Sequence, residues 1–300
     1  MPREYDFKAF DGKSVHVYVW DEVSKPLGMV QICHGMAEHA LRYDRFARYL
    51  NENGFIVFAD DHRGHGKTDA EHLGYSDGDM FFDTLNAEVT LSDKYRQLYP
   101  RLPLVLLGHS YGSFVTQAYL MRYADRLSGV VLMGSAKMDS PAVAIGHLMA
   151  KSGKPKEAAE KIKRLTFDKY NKKLNCKCFV SSIDEEAERY LNDPYCNFVC
   201  SNAFYESFFR GLKTLYKKRN LKKLRVDLPM LIVSGASDPV GGYGRSVKRL
   251  YSMYRRRGVK KIGLKLFDGC LHEPLNDTAR EQCGEAIKNF CLEAANKPVV

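Results

Sequence analysis

Residues 104–120 read Leu-Val-Leu-Leu-Gly-His-Ser-Tyr-Gly-Ser-Phe-Val-Thr-Gln-Ala-Tyr-Leu, and this stretch decides the fold. The four leading apolar residues predict a buried strand, and the residues after Gly112 predict a helix. Between them, Gly108-His-Ser110-Tyr-Gly112 has the G-x-S-x-G pattern of a serine held on a tight strand-to-helix turn. A side chain at either glycine would collide with the neighbouring strand or helix. In this context the pattern predicts that Ser110 is a nucleophile, the alternative being an idle serine in a glycine-rich turn.

Short apolar segments with helical patterns between them extend on both sides of this turn. The first two are joined by Asp11-Gly12, a strong hairpin signal. The later ones are runs of Val, Ile and Leu, typical of parallel strands covered on both faces. The alternation predicts a doubly wound α/β fold with an eight-stranded, mostly parallel sheet. The predicted strands are Glu4–Ala9, Val15–Trp20, Met29–Cys33, Phe55–Ala59, Leu104–Leu107, Val130–Met133, Met230–Ser234 and Gly263–Phe267, and the predicted helices are Tyr43–Asn53, Met80–Leu98, Ser113–Tyr123, Arg245–Arg257 and Thr278–Ala294.

One segment, between Met133 and Met230, interrupts the alternation with helical, Lys-rich sequence. Ser140-Pro141 predicts the cap and first residue of a helix, and Ala203–Lys217 has an amphipathic pattern with an aromatic stripe. Because the α/β pattern resumes afterwards, we interpret the segment as an inserted helical cap rather than a second independent domain. The predicted division is a core of residues 1–136 and 226–300 and a cap of residues 137–225.

A serine nucleophile needs a base that is oriented by a third group. In chain order after such a serine, an acid and then a histidine are expected on later loops of this fold. Asp238 follows the seventh predicted strand, and His272 follows the eighth. Both loops lie at the edge where ligands bind in open α/β sheets. We therefore predict that Ser110, Asp238 and His272 form a catalytic triad, with Asp268 as the rival acid because it is closer to His272 in sequence.

Stabilisation of an oxyanion requires backbone donors near the nucleophile. Cys33-His-Gly-Met36 ends the third predicted strand, where the His-Gly loop of such enzymes supplies one N–H. We predict that the N–H groups of Met36 and Tyr111 form the oxyanion hole. His34 is expected to shape the loop rather than to transfer protons.

Several motifs spread along the chain carry a family resemblance. They are His34-Gly-Met-Ala-Glu38-His39, Asp61-His-Arg-Gly-His-Gly-Lys67, Gly108-His-Ser-Tyr-Gly112, Ser234-Gly-Ala-Ser-Asp238-Pro, His272-Glu273 and, in the cap, Asn192-Asp-Pro-Tyr-Cys196. Together they resemble the monoacylglycerol lipase and lysophospholipase group of α/β-hydrolase serine hydrolases. The resemblance implies the same triad and oxyanion donors, no cofactor, and a structural role for the Asp61–Lys67 loop beside the site. The cap is more basic than the family's pattern, which leaves the acyl substrate open.

The resemblance implies hydrolysis of a small-molecule, single-chain acyl ester, either a monoacylglycerol or a lysophospholipid. An amidase or aminopeptidase of the same clan is the alternative, with Asp184-Glu185-Glu186 as candidate ligands for a free amine. A non-catalytic binding protein on this fold is a further alternative. Four cap residues are candidates to line an acyl tunnel, although they could equally pack the cap onto the core. These residues are Phe204, Phe208, Phe209 and Leu212.

The net charge of +10 is unevenly distributed. Residues 151–225 contain 19 Lys/Arg and 9 Asp/Glu, so the rest of the chain is neutral. Such asymmetry is typical of proteins with an anionic partner or of Lys-rich helices with solvated faces. We expect transient contact with anionic membrane surfaces, and no nucleic-acid partner because no nucleic-acid motif is present.

Cysteine use and apolar runs bear on the compartment. The N-terminus lacks the apolar region of a secretory signal, and no apolar run approaches the ~18–20 residues that span a bilayer. We therefore expect a cytoplasmic protein, peripheral at membranes when it docks. Eight scattered cysteines are expected to be buried thiols. Cys176, Cys178, Cys196 and Cys200 lack the usual C-x2-C zinc spacing, so no metal site is predicted.

Overall fold

A computed structural model describes residues 1–296, in which eight strands form a single sheet. Each strand end lies within two residues of its predicted position. The strands are β1 (Arg3–Lys8), β2 (Ser14–Trp20), β3 (Gly28–Cys33), β4 (Phe55–Asp60), β5 (Leu104–His109), β6 (Gly129–Met133), β7 (Met230–Gly235) and β8 (Ile262–Phe267). The predicted eight-stranded sheet is therefore confirmed.

The strand order is β1-β2-β4-β3-β5-β6-β7-β8. The hairpin of β1 and β2 is antiparallel and β2 pairs antiparallel with β4, whereas every later pairing is parallel. Every residue of β3 to β7 is buried, which explains their continuous apolar sequences. Because parallel strands end at one edge, the loops after β3, β5, β7 and β8 meet there.

Eleven α-helices occur among the described residues. They are α1 (Asp44–Glu52), α2 (Met80–Leu98), α3 (Tyr111–Leu120), α4 (Pro141–Ser152), α5 (Glu160–Lys163), α6 (Lys169–Leu174), α7 (Asp184–Asn192), α8 (Asn202–Leu215), α9 (Lys218–Leu221), α10 (Arg245–Arg256) and α11 (Arg280–Ala295). Helices α2, α3 and α10 bury apolar side chains in the core on one face of the sheet. Helices α1 and α11 do so on the other face, as expected of a doubly wound fold.

The chain between β6 and β7 contains α4 to α9 and, apart from one isolated bridge between Ala158 and Ser201, no strand pairing. Helix α8 rests on α2, and a Cβ added at Gly211 would lie 2.3 Å from the Phe81 ring. The segment thus has the helical content predicted for a cap. The division at residues 137–225 remains a prediction.

The cysteines are free thiols. Cys178, Cys196 and Cys200 are buried, as expected, whereas Cys176 is partly exposed. Within residues 1–296, Cys196 alone of the four cap cysteines lies in a group of metal-ligand spacing, with His39 and Asp193 rather than another cysteine. No helix in this range is both long and apolar enough to cross a bilayer.

Candidate active site

The turn between β5 and α3 holds Ser110 at a positive φ of 49°, with ψ −118°, a backbone conformation that residues other than glycine rarely adopt. The flanking glycines permit this turn. A Cβ at Gly108 would lie 2.6 Å from the Gly112 carbonyl oxygen, and one at Gly112 would lie 2.1 Å from the Cys33 carbonyl oxygen. The turn leaves the side chain of Ser110 partly exposed above the sheet at the N-terminus of α3.

Three predicted side chains form a line at this edge. Nε2 of His272 is 2.7 Å from Oγ of Ser110, a hydrogen-bonding distance. Nδ1 of His272 is 3.0 Å from Oδ1 of Asp238, although the ring N–H is not aimed straight at that oxygen. The arrangement is that of a nucleophile, its base and an orienting acid.

Asp238 rather than Asp268 occupies the acid's position. Its side chain is fully buried, accepting hydrogen bonds from the Val240 N–H at 2.8 Å and the Ser234 hydroxyl at 3.2 Å. Asp268 is exposed at the turn after β8. Proximity in sequence therefore did not identify the partner of His272, because the parallel pairing of β7 and β8 brings the Asp238 loop beside it.

Burial and charge act in opposite directions on the pKa of His272. Burial by itself would lower it, but the Asp238 carboxylate, with smaller contributions from Glu273 and Glu38, raises the pKa above its ordinary value of 6.5. The imidazolium that forms when the ring accepts a proton is thereby stabilised.

The predicted oxyanion donors come from two loops. Among residues 1–296, neither the Met36 N–H nor the Tyr111 N–H donates a hydrogen bond to another group of the chain. The next residue, Ala37, has φ 54° and donates its N–H to Nε2 of His65 at 3.1 Å. This bond fixes the loop that carries Met36, while Tyr111 begins α3, where N–H groups have no partner within the helix.

Neutral histidines support the Met36 loop. Nδ1 of His34 lies 2.7 Å from the Gly35 carbonyl oxygen, and Nε2 of His34 accepts the His62 N–H at 3.0 Å. Burial lowers the pKa of His34 well below its ordinary value and that of His65 to about 3. Both rings therefore remain uncharged, and His34 has the shaping contacts that the sequence predicted.

The Asp61–Lys67 loop also supports the site. The Asp61 carboxylate accepts the Ala40 N–H at 2.8 Å and the Lys67 N–H at 2.7 Å. It thereby joins the loop after β4 to the loop after β3, in agreement with the structural role expected for this motif.

The segment between β6 and β7 lies over these loops and contacts their backbone. The His272 N–H donates to the Phe179 carbonyl at 3.3 Å, and the Glu273 N–H donates to the Val180 carbonyl at 2.8 Å. The Asn197 N–H donates to the Ala37 carbonyl at 3.0 Å. The segment thus touches both the base loop and the oxyanion loop.

The four predicted acyl-contact residues lie on α8. Phe204 and Phe208 are buried, with ring centroids 4.9 Å and 5.4 Å from that of Tyr111. Leu212 is fully buried, and Phe209 packs partly buried against α4 at Gly146. All four pack α8 onto the core, and Phe204 and Phe208 form an aromatic wall with Tyr111, so a role in acyl binding stays a prediction.

Sequence reasoning missed a buried charge network beside the triad. Glu38 binds Arg42 and His109, and Arg42 also binds Glu273. Burial alone would raise the pKa of Glu38, but Arg42 and His109 outweigh it and hold the pKa well below its ordinary value. Glu38 and His109 do lie within the quoted motifs, but spacing alone did not reveal that they meet.

A comparison with protein families identifies the chain. A family described as "Serine aminopeptidase, S33" matches residues 24–279. The chain belongs to this family. The match extends from before β3 to the loop after His272 and thus includes every member of the line formed by Ser110, His272 and Asp238.

Named relatives of this S33 member confirm the resemblance to the monoacylglycerol lipase group. The chain is 28% identical over 284 residues to a monoacylglycerol lipase of Mycolicibacterium smegmatis, covering 91% of each protein. It is 26% identical over 266 residues to the monoglyceride lipase of Homo sapiens, covering 87% of this chain and 80% of that protein. Among solved structures, a thermostable carboxyl esterase from Bacillus coagulans in complex with glycerol has a TM-score of 0.87 and 28% identity, with 98% of this chain and 99% of that one covered. These similarities place the protein among the carboxylic ester hydrolases of the α/β-hydrolase fold.

The raised pKa of His272 predicts a specific pH dependence. The ring must be neutral to accept a proton, so kcat/KM for a water-soluble ester should fall as the pH drops through a value above 6.5. Asp238→Asn should move the limb of the residual activity to lower pH, because burial without the carboxylate lowers the pKa. Asp268→Asn is the control and should leave the limb unchanged. A wild-type limb at or below pH 6 would contradict the assignment.

Proposed function

We propose that this protein is a serine ester hydrolase that cleaves single-chain acyl esters through an acyl-enzyme on Ser110. The observation that carries the proposal is the 2.7 Å hydrogen bond between His272 and Ser110, with Asp238 3.0 Å from the other ring nitrogen. A non-catalytic binding protein would have no need for this alignment or for a strained backbone at the serine.

In the first step Oγ of Ser110 attacks the ester carbonyl carbon as Nε2 of His272 takes the hydroxyl proton. The carbonyl oxygen becomes an oxyanion, and the unpartnered N–H groups of Met36 and Tyr111 stabilise it. The positive end of the α3 dipole adds to this stabilisation. Asp238 stabilises the imidazolium while the tetrahedral intermediate lasts.

Collapse of the intermediate breaks the ester C–O bond. His272 then gives its proton to the leaving alkoxide, which departs as the alcohol, and the acyl group remains on Ser110. In the second step His272 takes a proton from water as the water attacks the acyl carbon. Return of a proton to Ser110 releases the free acid and restores the enzyme.

The proposed substrates are monoacylglycerols or lysophospholipids. The relatives named above support an acylglycerol, since two of them are described as monoacylglycerol or monoglyceride lipases. The aromatic wall of Phe204 and Phe208 supports a single acyl chain, because it begins at the oxyanion donor Tyr111 and is apolar throughout. A long alkyl chain along this wall would exclude water from the ester.

Amide or aminopeptide hydrolysis is the second candidate, favoured by the description of the matching family. A free amine would need an available carboxylate in the cap. Glu186 is surrounded by Arg45, Arg189 and Arg280 at 3.2–3.5 Å, so its charge is already compensated. Asp184, also in α7, lies 3.7 Å from Nζ of Lys177, so its charge is likewise partnered. These contacts favour an ester over an amine-bearing substrate.

Removing the nucleophile tests the proposal directly. Ser110→Ala should reduce ester turnover by about 10⁴-fold or more without changing the melting temperature, because the hydroxyl makes the attack but contributes little to packing. A fluorophosphonate should label Ser110 alone. Asp238→Asn should cost about 10⁴-fold, and the matched control Asp268→Asn far less. If the fluorophosphonate does not label the wild-type protein, the proposal is wrong and a non-catalytic binding protein is favoured. Hydrolysis of aminoacyl amides as fast as that of esters would favour the second candidate.

Acyl-chain length provides a test of the aromatic wall. Each methylene buried against it contributes about 0.8 kcal/mol. We therefore expect kcat/KM for monoacyl esters to rise with chain length until the apolar surface is filled, with triacylglycerols poor substrates. Phe208→Ala should flatten this rise while leaving acetyl ester hydrolysis nearly unchanged. A wild-type profile that peaks at acetyl would exclude a long acyl site.

We further propose that the protein docks on anionic membranes to collect its substrate. Helix α4 exposes Ile145 and Leu148, which are 59% and 66% accessible, and Leu165, which follows α5, is 59% accessible. Lys151 and Lys161, in the basic segment, are exposed in the same region of the chain. Apolar side chains bordered by lysines are suited to a surface of anionic lipid. Each basic residue contributes about 1 kcal/mol near such a surface.

Vesicle co-sedimentation tests the docking. Phosphatidylglycerol vesicles should retain the protein at low salt, and neutral vesicles should not. Retention should fade as the Debye length falls from ~10 Å at 0.1 M to ~3 Å at 1 M salt. Neutralising the basic run in and around α9 (Lys217, Lys218, Lys222 and Lys223 to Gln) should weaken retention without changing hydrolysis of a water-soluble ester.

The apolar contribution can be tested separately. Ile145→Ser combined with Leu148→Ser should weaken retention, while Leu98→Ser should not. Leu98 is a matched control because it is as accessible as Ile145, at 59%. It is the last residue of α2 and therefore lies outside the segment between β6 and β7. If binding does not change with lipid charge, salt or any of these substitutions, the docking proposal is wrong, and the basic residues serve only to keep this surface solvated.

A further inference from the structure

One carboxylate lies at the centre of the three catalytic loops. Glu38, in the loop after β3, is 2% accessible and therefore does not face solvent or substrate. Its Oε1 accepts the Gly35 N–H at 2.5 Å, the Tyr43 hydroxyl at 3.0 Å and a contact from Nδ1 of His109 at 2.9 Å. Its Oε2 accepts Nη1 of Arg42 at 2.6 Å. Four donors on one buried carboxylate hold it in a single orientation.

Two of these four partners are chain neighbours of a proposed catalytic group. Gly35 precedes the oxyanion donor Met36, and His109 precedes the nucleophile Ser110. Arg42 makes the third link indirectly. Its guanidinium binds both carboxylate oxygens of Glu273 at 2.7 Å, and Glu273 follows His272. Among the described residues, Tyr43 is the one donor to Glu38 that is linked to a catalytic residue neither by chain adjacency nor through a hydrogen-bonded partner.

The three loops are also packed tightly around Glu38. A Cβ at Gly35 would lie 2.5 Å from Oε1 of Glu38, 3.1 Å from Nδ1 of His109 and 3.2 Å from Cβ of Ser110. The oxyanion loop and the nucleophile turn are thus in direct contact at the carboxylate. The other ring nitrogen of His109 lies 3.4 Å from the His272 carbonyl oxygen, which extends the contact to the base loop.

We propose that Glu38 is a positioning residue that sets the oxyanion donor, the nucleophile and the base in register through Gly35, His109 and Arg42–Glu273. It touches no reacting atom and acts through the peptide groups next to those that do. Pairing of β3 with β5 sets these strands side by side, but among residues 1–296 no backbone hydrogen bond joins the loops after β3, β5 and β8 to one another beyond the strand ends. The inference rests on the catalytic roles proposed above for Ser110 and His272.

Buried charges make the register sensitive to Glu38. Arg42 lies between Glu38 and Glu273, and loss of either carboxylate leaves its guanidinium with one anionic partner. Breaking a buried pair by removing one member is strongly destabilising to its local arrangement. Displacement of a catalytic group by about 1 Å can cost 10²-fold in rate. Loss of the Glu38 charge is therefore expected to reduce kcat rather than substrate binding.

The test compares Glu38→Gln with Tyr43→Phe. The glutamine can still accept the Gly35 N–H but lacks the charge that faces Arg42 and His109. It should lower kcat by about 10²-fold, leave KM within about threefold, and slow fluorophosphonate labelling of Ser110 in proportion to kcat. Tyr43→Phe removes a different hydrogen-bond donor to Glu38, the Tyr43 hydroxyl, which has no link to a catalytic residue. This variant should keep kcat within about twofold.

The pH profile separates positioning from simple support of the fold. The charges of Glu38 and Glu273 add to that of Asp238 in raising the pKa of His272. Glu38→Gln should therefore move the acidic limb of kcat/KM to lower pH, which a purely structural defect would not do. His109→Gln should show the same loss of kcat, and combining it with Glu38→Gln should cost much less than the product of the two losses.

Three results would overturn the inference. The first is a folded Glu38→Gln variant with the kcat and the acidic pH limb of the wild type. The second is a Glu38→Gln variant that melts at a lower temperature but has full activity when it is assayed below that temperature. The third is a double variant whose loss of kcat equals the product of the losses from Glu38→Gln and His109→Gln. If Glu38→Gln does not fold, the same criteria apply to Glu273→Gln, which removes only the link through Arg42. Wild-type protein that fluorophosphonate does not label would refute the proposed function itself, a result distinct from slowed labelling of the variant.

Discussion

The positive-φ backbone at Ser110 is the constraint on which the rest of the site depends. A non-glycine residue held away from its preferred backbone region costs about 1–3 kcal/mol, so the surrounding structure must enforce it. The Ser110 N–H donates to the Met133 carbonyl at 3.0 Å, and Gly112 fits against the end of β3. Strands β3 and β6, on either side of β5, therefore hold the turn. The same turn leaves the Tyr111 N–H without a helix partner at the start of α3. One turn therefore positions both the nucleophile and an oxyanion donor.

The histidines of this site have different pKa values because their partners differ. His34 and His65 are buried with no carboxylate of residues 1–296 within hydrogen-bonding distance, and burial lowers the pKa of each. His272 is also buried, but Asp238 lies 3.0 Å away and raises its pKa. One physical rule, burial against local charge, thus separates two uncharged support residues from the candidate base. The same rule keeps Glu38 ionised, since Arg42 and His109 offset its burial.

The aligned side chains and the aromatic wall beside Tyr111 come from two different parts of the chain. The core supplies the aligned side chains, whereas α8 supplies the apolar wall beside Tyr111. The two parts are joined by side-chain packing of α8 on the core and also by backbone hydrogen bonds, such as those from His272 to Phe179 and from Glu273 to Val180. Such bonds constrain the path of the chain but not the identity of the side chains.

The sequence by itself determined the succession of strands and helices along the chain, the turn at Ser110 and the family resemblance, because these depend on local pattern and short motifs. It also placed Asp238 and His272 on their loops, since each loop follows a recognisable buried strand. Only the tertiary structure decided that Asp238 rather than Asp268 faces His272, because parallel pairing of β7 and β8 sets that distance. The same holds for Glu38, whose partners are up to 71 positions away in the chain. Buried charges are satisfied by contacts between distant loops, and sequence spacing does not show which side chains of those loops meet.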